Sequence, residues 1–314
     1  MGLATRHISA PGLDKAGTFH LVRWAKNSLT STITVMVYQK FKPAEWLIPF
    51  VECYFLWHSS GESVADFIVE SPPTGYCSLV VNSGDEYFLQ NKKYERLEAP
   101  KQFISGQSIY SYRLFLGGRI NIAGIVFKPA ALATLFNLPT YQYTEERIPL
   151  KNVFKAVSVD ALAHSLAACT DENEKAKLLE AFLISQFSGK KPEPDVIDKA
   201  ANLIVEKNGL VDITEVLKDV YMSRRNFERC FFKKVGLSPK YYARMRRMSY
   251  ILNLIAGKKK VDWATIFSEC EFYDHSHFTK DFTEFTGRTP QQYLEQNIEL
   301  ANLIEKPREG DIRY

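Results

Sequence analysis

Between positions 222 and 260 the chain carries six lysines and six arginines against one acid, Glu228, a local net charge of +11 in a protein whose total is +4. The remaining residues therefore sum to −7. Cationic charge gathered into one short segment of an otherwise acidic molecule suits phosphate binding, because each neutralised phosphate releases condensed counterions. The same charge also describes a solvated helix face, so the arrangement of the cations has to decide.

That arrangement is repeated. At a fixed offset of 51 residues, Phe227 maps onto Phe278, Phe231 onto Phe282, Gly236 onto Gly287, Pro239 onto Pro290 and Tyr242 onto Tyr293. Each copy reads as a short helix, a tight turn and a second helix. In the first, residues 213–220 place Ile213, Val216, Leu217 and Val220 on one helical face. Ser223 stands at an N-cap position, where its hydroxyl can accept a free backbone N–H. Phe227, Cys230, Phe231 and Val235 form the next apolar stripe, and Gly236 suits a left-handed C-cap. In the second copy residues 264–270 lead, Asp274 caps, Phe278, Phe282 and Phe285 point inward, and Gly287 closes. Opposite the stripes stand Arg224, Arg225, Glu228 and Arg229 in one copy and His275, Ser276, Thr279 and Lys280 in the other. Arginine can fork onto guanine O6 and N7, and the smaller polar groups reach base edges or phosphates.

Residues 239–256 join the copies. Apolar Tyr242, Met245, Met248, Ile251, Leu252 and Ile255 recur at helical spacing, and Arg244, Arg246 and Arg247 are expected to be left outside. A helix of about 18 residues spans roughly 27 Å. Such a rod can hold two recognition helices about one duplex turn apart, roughly 34 Å, in successive major grooves.

On these residues the segment 194–296 resembles the DNA-binding domain of the AraC/XylS family of transcription regulators. The family pattern stands here as M-S-x-x-x-F-x-R-x-F at 222–231, G-L-S-P-x-x-Y at 236–242, R-M-R at 244–246, F-x-D-x-S-x-F-x-K-x-F at 272–282 and G-R-T-P-x-x-Y at 287–293. The resemblance implies base contacts from Arg225, Glu228, Arg229, His275, Ser276, Thr279 and Lys280, and backbone contacts from Ser223, Arg224, Lys233, Arg246 and Arg247. It implies double-stranded DNA and RNA polymerase as partners, and leaves a small-molecule effector and a homodimer open. The chain departs from the pattern in three ways. Leu217 and Phe267 replace small residues of the leading helices, and Glu271 stands where the family usually has glycine. The second unit is also acidic: residues 261–296 hold seven acids against Lys280 and Arg288. The first unit is therefore expected to supply most of the affinity.

The expected fold is α+β in two domains: a strand-rich N-terminal domain with flanking helices, and an all-α C-terminal domain of two helix-turn-helix units joined by a central helix. Residues 1–152 form the regulatory domain, 153–193 a helical connector and linker, 194–296 the DNA-binding domain and 297–314 a tail. Short β-branched or aromatic runs at 33–38, 78–82, 86–89, 111–116 and 120–127 read as strands. Residues 158–168 and 173–187 read as helices, more a lid on the N-terminal core than a dimerisation element, and 188–194 as the linker. The segments at 43–57, 73–82 and 124–131 resemble a domain often found ahead of this module, one that commonly senses a small molecule or mediates dimerisation.

Other chemistry finds little support. Trp46, Phe50, Tyr54, Phe55 and Trp57 suit a core better than a ligand wall. His20 and His58 are isolated, and the His275-x-His277 pair lies on the DNA-reading helix, so no metal and no cofactor are expected. There is no nucleophile elbow, phosphate loop or paired-carboxylate signature, and no enzyme activity is expected. The alternative is a DNA-anchored enzyme or repair module using Cys53 or Cys77. The five scattered cysteines read as reduced thiols, the first 12 residues lack a signal-peptide pattern, and residues 120–139 are too interrupted to span a membrane. A cytoplasmic location without membrane attachment is expected.

Overall fold

Strand residues alternate between two different cores, and this alternation builds the N-terminal domain. On one strand Leu79 and Val81 enter one apolar cluster while Val80, between them, enters another. Ile104 and Phe103 divide in the same way on a second strand. A sheet that is apolar on both faces must be covered on both. The computed structural model describes residues 19–26, 33–60, 64–187, 191–256, 258, 260–272 and 274–296.

The strands are β1 (Phe19–Lys26), β2 (Ile33–Phe41), β3 (Val51–Ser60), β4 (Val64–Ser71), β5 (Cys77–Asn82), β6 (Phe88–Gln90), β7 (Leu97–Glu98), β8 (Gln102–Ser105), β9 (Tyr112–Gly118), β10 (Asn121–Phe127) and β11 (Arg147–Pro149). Seven form one sheet in the order β1-β2-β3-β10-β5-β8-β11, and four form a second in the order β4-β9-β6-β7. The strand pairs are antiparallel. A short helix α1 (Ala131–Phe136) follows, then α2 (Ala156–Ala168) and α3 (Glu172–Ser185).

The second sheet covers one face of the first through Trp57, Val80, Phe103, Leu114 and Ile122. Helices α2 and α3 cover the other, sending Leu162, Leu166, Leu179 and Leu183 into the cluster of Tyr54, Leu79 and Ile125. Polar ties fix α3 there: Tyr54 donates to Glu180 at 2.9 Å, and His58 Nε2 lies 2.8 Å from Glu172. The pair thus lies on the N-terminal core as a lid. Expected strands fall at or near β2, β5, β6, β9 and β10, but β1, β3, β4, β7, β8 and β11 have no counterpart among the expected runs. Positions 1–18, 188–190 and 297–314, with the expected signal-free start, part of the linker and the tail, lie outside the described residues.

The C-terminal domain comprises α4 (Val196–Glu206), α5 (Ile213–Lys218), α6 (Arg224–Val235), α7 (Pro239–Ile255), α8 (Trp263–Glu269), α9 (His275–Thr286) and α10 (Pro290–Gln296). Helix α4 opens with a capping box between Asp195 and Asp198, which satisfies two otherwise orphaned donors reciprocally. The helices share one core centred on Phe227, Phe231, Tyr242, Met248, Phe278 and Phe282. Ala130, Tyr76 and Ile109 of the N-terminal domain pack into it.

Candidate nucleic-acid interface

The two helix-turn-helix units are built by the same local devices. Asp212 accepts from Thr214 N at 2.8 Å to open α5, and Asp262 accepts from Ala264 N at 3.1 Å to open α8. The recognition helices α6 and α9 are capped by Ser223, which accepts from Asn226 N, and by Asp274, which accepts from His277 N at 2.7 Å. Gly236 (φ 89°) and Gly287 (φ 74°) end them in the left-handed region, where a β-carbon would be strained. Tyr221 (φ 52°) and Glu271 (φ 54°) turn the chain between the helices of each unit. The glycine usual at the Glu271 position is thereby explained, since a glycine adopts this conformation without strain.

Phe227, Phe231 and Val235 on α6, and Phe278, Phe282 and Phe285 on α9, are fully buried. Their outer faces carry the sequence-read side chains. Arg224, Arg225 and Arg229 are exposed, and Glu228 is partly so. Arg224 Nε bonds Glu228 Oε1 at 3.0 Å and Arg229 bonds Asn226 at 2.7 Å, whereas Arg225 has no side-chain hydrogen bond among the described residues. On α9, His275, Ser276 and Lys280 are exposed, and Thr279 Oγ1 lies 3.3 Å from His275 Nδ1. Ser223 and Lys233 are exposed at the two ends of α6.

The arginines of α7 correct the expectation that all three stay outside. Arg244 bonds Asp281 at 2.6 Å and Glu284 at 2.7 Å, both on α9. Arg246 is 8% exposed and donates to the Thr74 carbonyl, with its guanidinium 4.8 Å from the Tyr76 ring. Arg247 donates to the Cys270 and Glu271 carbonyls at 3.4 Å and lies 4.6 Å from the Phe272 ring, bracing the turn of the second unit. In this arrangement Arg246 is buried and Arg247 half-buried, each engaged with backbone carbonyls. The acidity of the second unit has a related cause, since Asp281 and Glu284 are occupied by Arg244.

Both units also touch the N-terminal domain. At the first, Lys234, paired within the C-terminal domain with Asp195 and Asp198, also bonds Thr134 of α1 at 2.8 Å. Thr140 donates to the Lys233 carbonyl at 3.0 Å, and Tyr141 stacks on Phe232 at 5.6 Å. At the second, Ser111 N donates to the Phe285 carbonyl at 2.9 Å, and Arg288 pairs with Glu70 of β4. These contacts join residues up to 218 positions apart, beyond the reach of a local sequence signal.

The thiols of the alternative enzyme reading are poorly placed for nucleophilic work. Burial pushes the Cys53 thiol up to about 11 and the Cys77 thiol up to about 12. Among the described residues no cluster of three or more His, Cys, Asp or Glu could hold a metal ion, and no helix is long and apolar enough to cross a membrane.

Residues 216–296 match the family model of a helix-turn-helix domain, and residues 39–149 match a domain of unknown function, DUF6597. A comparison with curated proteins finds no match. Among solved structures the chain is similar to ToxT from Vibrio cholerae, at 12% identity and TM-score 0.41, covering 78% of this chain and 98% of that one. It is also similar to unsaturated-fatty-acid-bound ToxT from the same organism, strain SCE256, at 11% identity and TM-score 0.40, covering 75% and 95%. The AraC-like transcriptional activator CuxR follows at 12% identity and TM-score 0.31, covering 73% and 86%. The protein is a DNA-binding transcription regulator. Its C-terminal domain is an AraC-type helix-turn-helix domain, preceded by a DUF6597 domain.

Proposed function

We propose that the chain reads DNA with two heads, α6 and α9, entering successive major grooves, and that its N-terminal domain gates them. Arg225, Glu228 and Arg229 on α6, and His275, Ser276, Thr279 and Lys280 on α9, are the base-reading set. Ser223, Arg224 and Lys233 contact the phosphate backbone. The observation that carries this reading is the pairing of two equally capped helices, each with an exposed cationic or polar face and a buried phenylalanine stripe, both packed against the 17-residue helix α7.

Gating is supported by the contacts that tie each head to the N-terminal domain. The regulator acts in the cytoplasm without catalysis, recruits RNA polymerase, responds to a small-molecule effector and self-associates on its operator. Selection of bound duplexes from a random pool by the full-length protein tests the central point. A site with two specified blocks about one helical turn apart, roughly 34 Å, is expected. Salt-sensitive binding without enrichment would sink sequence-specific reading.

A further inference from the structure

The first recognition helix does not end in solvent. A short helical turn of the N-terminal domain, Thr140–Gln142, seats its C-terminal end. The Thr140 hydroxyl donates to the Lys233 carbonyl at 3.0 Å, one of the last-turn acceptors that a helix leaves without an internal partner. At Gly236, the cap of α6, an added Cβ would fall 2.8 Å from Thr144 Oγ1 and 3.1 Å from the Thr140 carbonyl. Among the described residues nothing lies within 4 Å of the corresponding point at Gly287, the cap of α9. Of the two caps, the first is the one that abuts the N-terminal domain.

The turn adds its side chains at the end of the DNA-facing stripe. Arg225, Arg229 and Phe232 stand at i, i+4 and i+7 of α6 and so share one face. Phe232 is 45% exposed although apolar, and Tyr141, 41% exposed, stacks on it at 5.6 Å with the ring planes 26° apart. Gln142 is exposed beside them, and its Nε2 donates to the Tyr141 hydroxyl oxygen at 3.4 Å. The Tyr141 O–H itself has no acceptor among the described residues.

The electrostatics suit a phosphate. Arg225, Arg229 and Lys233 are exposed on the adjoining surface of α6, and residues 139–144 carry no charge. The two acids that follow are engaged elsewhere. Glu145 is buried and accepts from the Ile109 and Tyr110 backbone N–H groups, and Glu146 pairs with Lys93.

We infer that Tyr141 and Gln142 bind the DNA backbone beside the first reading block, the Tyr141 O–H donating to a phosphate oxygen. The N-terminal domain is then itself part of the DNA-binding surface. The inference rests on the proposed placement of α6 in a major groove. At 1.5 Å per residue Phe232 stands about 10 Å along the axis from Arg225, and the groove is about 12 Å wide. With Arg225 on base edges, the Phe232 end reaches the groove wall, where phosphates stand.

The test uses purified full-length protein and a duplex enriched from the random pool, with titrations at several salt concentrations and ethylation interference. Tyr141→Phe keeps the ring on Phe232 and removes the donor, so binding should weaken about three- to tenfold. Ethylation of a phosphate flanking the first block should interfere with binding of the parent, and that interference should vanish in Tyr141→Phe. Gln142→Lys should tighten binding and steepen the slope of log K against log [salt] by about 0.9. Gln142→Glu should weaken binding. Unchanged affinity, interference and salt slope in all three variants, with Arg229→Ala still weakening binding, would overturn the contact and leave the reading of α6 intact. A surface that serves a protein partner instead would give that same outcome with DNA alone. If Arg229→Ala has no effect either, the reading of α6 fails and the contact with it.

Discussion

Arg288, one residue beyond the glycine cap of the second recognition helix, is ion-paired with Glu70 on β4, whose side chain is 2% exposed. Arg113 lies 3.6 Å from the other oxygen of the same carboxylate. Removing one partner of a buried pair strands the other, at a cost of about 3–5 kcal/mol. Glu70→Gln should therefore lower unfolding stability by an amount in that range, and adding Arg288→Gln should cost much less than the single changes predict. Chemical denaturation of the two singles and the double checks this; additive losses would mean that the pair does not couple the domains.

If the first head supplies most of the binding energy, Arg225→Ala and Arg229→Ala should each cost about 1–3 kcal/mol and relax base preference locally. Lys280→Ala should cost less. Lys233→Ala should weaken all sequences alike and shallow the salt dependence, since a phosphate contact carries no base information. Titrations on a selected site at several salt concentrations separate the three behaviours. A Lys280→Ala loss equal to that of Arg229→Ala would refute the unequal division.

Tyr221 and Glu271 hold left-handed backbone at φ 52° and 54°. The conformation costs a non-glycine residue about 1–2 kcal/mol, and glycine gives back about 0.5–1 kcal/mol in chain entropy. Tyr221→Gly and Glu271→Gly should each raise stability by roughly 0.5–1 kcal/mol. Glycine at the exposed helical Thr265 should lower it. Thermal melts decide the sign, and a loss at both turn positions would show that the side chains matter more than the strain.

The caps of the two leading helices make stability pH-dependent in a stated direction. The Asp212 carboxylate is held below 3.8 by the Thr214 backbone N–H, and Asp262 by its bonds to the Thr265 side chain and backbone. A depressed folded value means that the stabilisation is complete above the unfolded value near 3.8 and is lost as pH falls through the lower folded value. Asp212→Asn and Asp262→Asn keep an acceptor but do not titrate, so denaturation midpoints measured from pH 5 down to 2 should fall less steeply than in the parent. Parallel curves would contradict the assignment.

The helix-turn-helix units were legible because their determinants are local. Caps at Ser223 and Asp274, glycines at 236 and 287 and a helical stripe of phenylalanines each act within one or two turns, and their repetition at one offset removed the ambiguity of any single signal. The N-terminal domain was read less completely. β5 and β10 stood out as β-branched runs, but β3, Val51–Ser60, mixes aromatics with Glu52 and His58 because helices cover one face and the second sheet the other. The simple alternation of a half-buried strand is then missing.

Arg244, Arg246 and Arg247 mark the boundary between the two kinds of information. By itself the sequence determined that they lie on a cationic helix joining two reading heads, since composition and period need only the neighbouring residues. What each arginine does was decided by the tertiary structure. At about 100° per residue, positions 244, 246 and 247 point in three directions. One meets the acids of α9, one the Thr74–Gly75 turn, and one the carbonyls of the second turn. Those partners come from segments far apart in the chain, so only folding could assign one arginine to each of these places.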